Sequence, residues 1–155
     1  MKLTTKGRYA VTAMADLALH AKIDRVTLAE ISSRQDISLT YLEKLFGNLR
    51  KAGLVDSERG PKGGYQLARD DKHITLADIL IAVDEEINLS CGSGSDCSEI
   101  TPCLTHNLWN NLSHEFYDFL NSKRLSDLVR TRFVQTKATQ QDVTQIGDIP
   151  IHISG

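Results

Sequence analysis

A glycine-rich turn directly after two adjacent helices is the feature that most constrains the fold of this chain. The turn, Gly-Pro-Lys-Gly-Gly at 60–64, joins two runs with strand character at 54–59 and 65–68. Three glycines and a proline in five residues leave little bulk at its tip. A narrow, basic hairpin that follows a helix-turn-helix is typical of the wing of a winged-helix DNA-binding domain.

The spacing of apolar residues predicts the helix-turn-helix itself. A first helix covers about 7–21, and a second begins after Thr27, whose hydroxyl forms a capping box with Glu30. Ser38 is expected to cap a third helix, which Gly53 ends. The apolar side chains of this third helix recur at i, i+3, i+4 and i+7, as Leu42, Leu45, Phe46 and Leu49.

The rest of the chain predicts a fourth helix, a loop and a long amphipathic helix. Thr75 and Asp78 form a second capping pair. The long helix covers about 103–120, and a short segment at 125–129 folds back. The predicted class is mainly α with a small β-hairpin. It comprises a winged helix-turn-helix domain at 1–83, a long loop at 84–102 that is expected to have a function, a long-helix region at 103–130 that is expected to pack against a partner, and a mobile tail at 131–155.

The third helix is the expected recognition helix, with its N-terminal residues in the major groove and with Leu39 and Leu42 turned to the core. Glu43 cannot bind phosphate favourably, so its expected partner is the amino group of cytosine. The alternative interpretation is a solvated surface on which Glu43 pairs with Lys44 or Arg50. Arg59 and Lys62 flank the hairpin turn, where an arginine can enter the minor groove. The predicted DNA-binding residues are Ser38, Thr40, Tyr41, Glu43, Lys44, Arg50, Arg59 and Lys62.

Charge is unevenly distributed along the chain. Residues 1–69 contain 12 Lys and Arg against 7 Asp and Glu, a net of +5, whereas 70–155 contain 6 against 13, a net of -7. Only the first half is therefore expected to meet a polyanion, with Lys2, Lys6, Arg8, Arg50 and Lys51 as further candidate phosphate contacts. The sequence has no membrane-spanning run or secretory signal, so a cytoplasmic location is expected.

Three cysteines and a histidine predict a metal site. They are spaced C-x5-C-x5-C-x2-H, as Cys91, Cys97, Cys103 and His106. Structural zinc usually uses closer cysteine pairs, and soft thiolates with one imidazole suit an iron–sulfur cluster. Cys103 and His106 are expected to share a face at the start of the long helix. His114 in place of His106, and a metal-free thiol sensor, remain as alternatives.

Several motifs in the same order resemble the IscR-type iron–sulfur cluster regulators of the Rrf family of winged-helix transcription factors. They are Lys-Gly-Arg-Tyr-Ala-Val at 6–11, the third helix at 37–46, the run at 49–55, the wing at 59–65 and Leu-Thr-His at 104–106. The resemblance covers about residues 1–130. Lys44 departs from it, since family members often have an uncharged amide there.

The resemblance implies a regulator rather than an enzyme. It implies a 2Fe–2S cluster on Cys91, Cys97, Cys103 and His106, with an iron–sulfur assembly scaffold as a candidate donor. It also implies a homodimer that binds a palindromic operator, represses or activates genes of cluster assembly, and discriminates between sites through Glu43. Half-sites would lie roughly 34 Å apart.

Two other interpretations remain. One is a thiol-based or nitric-oxide-sensing winged-helix repressor of the same family; the nitric-oxide sensors use an aspartate near the first helix, where the nearest acid here is Asp16. The other, from a different class, is a redox enzyme or electron carrier. The sequence shows no phosphate loop, dinucleotide fingerprint or nucleophile motif in its support.

Overall fold

Six α-helical segments and one two-stranded hairpin form the described part of the chain. In this computed structural model, residues 4–85, 87 and 103–130 are described. Residues 125–130 are also helical. The elements are α1 (Thr5–His20), α2 (Leu28–Gln35), α3 (Leu39–Lys51), β1 (Val55–Glu58), β2 (Gly64–Leu67), a 3-10 turn (Asp71–His73), α4 (Leu76–Ala82) and α5 (His106–Ser122). The predicted winged-helix class is confirmed.

Hydrogen bonds at the helix ends explain where α2 and α4 begin. Thr27 N donates to Glu30 Oε2 at 2.7 Å, and Glu30 N donates to the Thr27 hydroxyl at 3.2 Å. Thr75 and Asp78 form the same reciprocal pair ahead of α4. Both predicted capping boxes are therefore confirmed.

The predicted N-cap position of Ser38 is confirmed, but the capping hydrogen bond is not formed. The turn between α2 and α3 is held by Ser32 instead, whose hydroxyl donates to the Ile37 carbonyl at 2.6 Å. The Ser38 hydroxyl is thus left at the exposed start of α3.

A single apolar core joins α1, α2, α3 and the base of the hairpin. Phe46 is fully buried and meets the Tyr65 ring edge-on, with the ring centroids 4.9 Å apart. Leu39 was expected in this core, but 42% of it is exposed. Leu39 is the first residue of α3, and the buried Ile37 fills the core position at this end of the helix.

The hairpin is antiparallel, with Val55 opposite Leu67 and Glu58 opposite Gly64. The linker between α1 and α2 adds a bridge to the free side of β2, because Val26 and Tyr65 exchange backbone hydrogen bonds of 2.9 and 2.7 Å. Gly64 has φ +140°, and a Cβ there would lie 2.7 Å from the Val26 carbonyl oxygen. Glycine at position 64 is therefore required for the wing to pack on the helical core.

The C-terminal part of the described chain returns to this core. α5 begins at His106, so the expectation that the helix includes Cys103 is wrong: residues 103–105 form the turn that leads into it. Leu125 N donates to the Ile74 carbonyl at 2.8 Å, and Leu125 and Val129 are buried in the main core. The predicted fold-back at 125–129 is confirmed.

Two predicted regions lie largely outside the described residues. They are the loop at 84–102, of which only 84, 85 and 87 are described, and the tail at 131–155. Among the described helices, none combines the length and the apolar character needed to cross a bilayer.

Candidate nucleic-acid interface and metal centre

The exposed side of α3 carries the residues predicted to contact DNA. The buried side is formed by Leu42, Leu45, Phe46 and Leu49. Because these apolar residues hold one face in the core, the opposite face is presented outward. Ser38, Thr40, Glu43 and Lys44 are exposed there, and Tyr41 is half-buried.

Tyr41 is held in place by an aromatic contact that the sequence analysis missed. Its ring meets the Tyr9 ring of α1 edge-on, with centroids 5.8 Å apart and planes at 84°. Tyr9 is itself exposed and follows Arg8, one of the candidate phosphate contacts. The signal for Tyr9 was its position outside the apolar repeat of α1, where a large aromatic residue has no core role. Tyr9 and Tyr41 together join α1 to the exposed side of α3.

Glu43 is free to act on a ligand. In the described part of the chain it makes no ion pair within 4 Å, and the alternative pairing with Lys44 or Arg50 does not occur there. Arg50 instead extends from α3 to the wing, with Nη1 donating to the Ser57 hydroxyl at 3.3 Å. Arg59 is exposed beside it at the end of β1.

The wing adds a second basic element next to α3. Arg59 and Lys62 are both exposed at the glycine-rich turn. Gly60 has φ +115°, and Gly63 N donates to the Gly60 carbonyl at 2.9 Å, which closes the tip tightly. A compact tip with two exposed cations has the size and charge to approach a duplex groove.

A buried ionic cluster joins α1 to α2. The Asp16 carboxylate accepts from Arg34 Nη2 at 2.7 Å, Arg34 Nε at 3.0 Å and the Gln35 amide at 2.8 Å. Burial opposes ionisation of Asp16, but the hydrogen bonds from Arg34 and Gln35 outweigh it and hold the pKa below its usual value. Asp16 is thus engaged in holding α1 against α2.

Two of the four predicted metal ligands lie in one turn at the start of α5. His106 N donates to the Cys103 carbonyl at 3.1 Å, and both residues are half-buried. Thr105 lies between them, accepts from Trp109 Nε1 at 3.0 Å and is 3.9 Å from Cys103 Sγ. Cys91 and Cys97 lie outside the described residues, so the described ones contain no group of three metal-binding side chains.

The donor set fits an anionic iron–sulfur centre. Thiolate and imidazole are the ligands that such clusters take, and both described donors lie at the N-terminal end of a 17-residue helix. The first N–H groups of a helix favour negative charge. The turn at 103–106 is therefore chemically suited to hold one side of a cluster.

One exposed stripe of α5, formed by Leu108, Leu112 and Phe119, is apolar and is not covered by other apolar side chains within the described residues. Ser113 and Leu120 face inward, whereas large apolar side chains face outward. A helix of this kind usually packs against a partner. The exposed residues at and just before α5 are Leu104, Leu108, Leu112, Tyr117 and Phe119.

Comparisons with known proteins agree with this architecture. The family model described as Rrf2, iron-dependent transcriptional regulator, matches residues 3–131. The HTH-type transcriptional regulator IscR of Vibrio campbellii is 51% identical over 144 residues, covering 92% of this chain and 86% of the relative. The structure of T. potens IscR is similar with a TM-score of 0.69 and 39% identity, over 85% of this chain and 88% of that one. The structure of CymR, the global cysteine regulator of B. subtilis, is similar with a TM-score of 0.72 and 33% identity, over 84% of this chain and 98% of that one.

Proposed function

Because the chain belongs to the Rrf2 family of transcriptional regulators, we propose that it reports iron–sulfur cluster status to the genes of cluster assembly. As a member of this family it is a regulator and not an enzyme, which removes the redox enzyme and the electron carrier from consideration. The observation that carries the proposal is the joining of a winged helix to a thiolate–imidazole turn in one compact fold.

The DNA-binding surface is formed by α3 and the wing. Ser38, Thr40, Tyr41, Glu43 and Lys44 act at the major groove, with Glu43 selecting cytosine through its amino group. Arg59 and Lys62 approach the adjacent minor groove, and Arg50 contributes a phosphate contact while bracing the wing. The domain at 1–83 contains all of these residues.

The 2Fe–2S cluster would be held by Cys91, Cys97, Cys103 and His106. The first two lie in the loop at 84–102, and the last two lead into α5. When bound, such a cluster supplies an anionic, redox-sensitive centre. A scaffold of the iron–sulfur assembly machinery would deliver the cluster in the cytoplasm. The protein would bind DNA in the same compartment.

The operative unit is a homodimer on a palindromic operator. The exposed apolar face of α5 supports an interface with a second copy. α5 packs on α4 through a small apolar cluster that contains Leu120, and the residues that follow it, Leu125 and Val129, join the main core with α3. A two-fold dimer presents two copies of α3 to half-sites roughly 34 Å apart.

Anaerobic purification tests the cluster. The wild-type protein is expected to be coloured and to contain iron and sulfide, and Cys103→Ala is expected to lose the colour while keeping its helical circular dichroism. His114→Ala is the matched control for His106→Ala, because only His106 lies in the turn with Cys103. A wild-type protein that stays colourless after reconstitution with iron and sulfide contradicts the cluster.

A thiol-based regulator is the second candidate. The similarity to CymR favours it, since a structure of the oxidised form of Staphylococcus aureus CymR is also similar to this chain, with a TM-score of 0.68 and 35% identity. A sensor of this kind forms a disulfide without metal. Mass spectrometry of the protein from rapidly acidified cells separates the two, because a disulfide among the three cysteines of iron-free protein favours the thiol sensor. The nitric-oxide sensors that this chain resembles use a 4Fe–4S cluster, so Mössbauer spectra of the loaded protein that show 4Fe–4S and not 2Fe–2S would favour nitric-oxide sensing.

A further inference from the structure

An acidic side chain lies in the middle of the basic wing. Glu58 is the last residue of β1 and directly precedes Arg59. Its side chain is 65% exposed. A carboxylate that faces a duplex repels the phosphates and opposes the attraction due to Arg59 and Lys62. The wing therefore contains a charge that its proposed role does not explain.

Arg25 compensates this charge from outside the hairpin. Its Nε lies 2.9 Å from Glu58 Oε2, and only 22% of the Arg25 side chain is exposed. The backbone bridge between Val26 and Tyr65 holds the linker against the hairpin, so the arginine is fixed beside the end of β1. Arg25 and Glu58 are far apart in sequence and meet only in the folded domain.

The pair contributes little to folding. One partner is largely exposed, and exposed ion pairs stabilise proteins only weakly. In addition, Nη1 of Arg25 is buried without a hydrogen-bond partner in the described part of the chain, which opposes stabilisation. Stability therefore does not account for the Arg25–Glu58 pair, and its position suggests a role in DNA binding by the wing.

We propose that Arg25 is a positioning residue for DNA binding, which neutralises the Glu58 carboxylate and holds it away from the duplex. This rests on the proposed function, in which the wing contacts DNA. Arg59 and Lys62 then attract the duplex without opposition from the Glu58 carboxylate at the end of β1. The expected effect of losing Arg25 is electrostatic and therefore declines as salt rises.

A double-mutant cycle tests the proposal with the full chain and a duplex that the wild-type protein selects from a random-sequence pool. Arg25→Ala is expected to weaken binding roughly three- to tenfold at low salt, because it exposes the Glu58 charge. Glu58→Gln is expected not to weaken it. The double variant Arg25→Ala/Glu58→Gln is expected to bind within about twofold of wild type, because the anion that Arg25 offsets is gone.

Rescue is the decisive outcome. If the double variant stays as weak as Arg25→Ala, Arg25 acts by touching DNA or by holding the fold, and the proposal is overturned. Unchanged binding of Arg25→Ala also overturns it. Lys72→Ala is the matched control, since it removes one exposed positive charge outside α3 and the wing. Arg59→Ala separates this proposal from the proposed function: if it leaves binding unaltered, the wing does not contact DNA at all.

Discussion

Asp16 carries a buried negative charge where α1 meets α2. Its side chain is fully buried, while Arg34 remains partly exposed and reaches it from the end of α2. A buried carboxylate is tolerated only while its hydrogen-bonding partners are present. Arg34 is the only one of these partners that brings a permanent positive charge to Asp16, so the packing of α1 against α2 depends strongly on this arginine.

Replacing that arginine is expected to be costly. Arg34→Ala should lower the free energy of unfolding by about 3 kcal/mol, because the Asp16 carboxylate loses its main partner while staying buried. Urea unfolding at neutral pH measures the change. Lys62→Ala, an exposed wing cation, is the control and should stay within about 0.5 kcal/mol of wild type. Equal midpoints for the two variants would show that the cluster does not hold the helices.

The same cluster sets an acid limit on stability. Burial raises the pKa of Asp16, but Arg34 and Gln35 lower it by more, so the folded-state pKa lies below the ordinary 3.8. The stability due to Asp16 is therefore fully present above about pH 3.8 and is lost as the pH falls through the folded-state pKa. Urea midpoints measured over a series of pH values test this. The loss of stability that comes from protonation of Asp16 should be absent in the Asp16→Asn variant.

Glu43 is expected to govern sequence preference rather than overall affinity. Glu43→Ala should remove roughly 1–3 kcal/mol of discrimination at one base pair and leave the salt dependence unchanged. Lys44→Ala, its exposed neighbour, should instead reduce the salt slope by about one. Selection of binding sites at two salt concentrations measures both. A Glu43→Ala protein with unaltered site preference contradicts a recognition role.

Single residues also mark where sequence reasoning reached its limit. The capping boxes of Thr27 and Thr75 were predictable because a cap is a contact over three residues. Leu39 was misjudged because helical periodicity ignores where a helix begins. The Tyr9–Tyr41 contact and the Arg25–Glu58 pair join distant segments. The position of Tyr9 outside the apolar repeat of α1 marked it for attention, but no local pattern identifies the partner in either pair.

At the scale of elements, Glu85, near the start of the segment at 84–102, is hydrogen-bonded to the start of α1. The Glu85 carboxylate accepts hydrogen bonds from Thr4 N at 3.1 Å and from the Thr4 hydroxyl, and Gly7 N also donates to it. Burial raises the pKa of Glu85, but these hydrogen bonds outweigh it and leave the pKa lowered. A negative charge at this place also stabilises the N-terminal end of the helix.

Glycine at position 7 is what permits this contact. A Cβ at Gly7 would lie 2.7 Å from Glu85 Oε2 and 3.0 Å from Leu80 Cδ2, so Gly7→Ala should destabilise the fold by roughly 1 kcal/mol despite the better helix propensity of alanine. Gly47→Ala is the matched control in α3. Its Cβ meets nothing within 4 Å and should stabilise by about 0.5–1 kcal/mol. Thermal midpoints that move in the same direction would contradict the account.

Most elements were predictable from the sequence, and their ends less so. The wing followed from its glycines and the helices from their apolar spacing. The start of α5 was placed three residues early, because Cys103 continues the pattern of the helix while its backbone belongs to the preceding turn. The hydrogen bond between Thr4 and Glu85 joins two residues that are 81 positions apart in the sequence, and the periodicity of apolar residues cannot predict such a contact.

At the scale of the whole molecule, the apolar face of α5 predicts the oligomeric state. Leu112→Glu should produce a monomer, because it places a charge in the middle of the exposed apolar face. The affinity for a palindromic duplex should fall by more than tenfold, because the two copies of α3 no longer bind the two half-sites together. Sedimentation and DNA titration measure the two effects. Asn110→Glu, on another exposed side of α5, should leave both unchanged.

The central claim is that ligand occupancy at one end of the fold alters what the other end binds. A genomic footprint of the same preparation, first loaded with its cluster under anaerobic conditions and then stripped of iron, tests this most directly. The account predicts that the two forms protect different sets of sites. Identical footprints, with the cluster proved present in one and absent in the other, would contradict it.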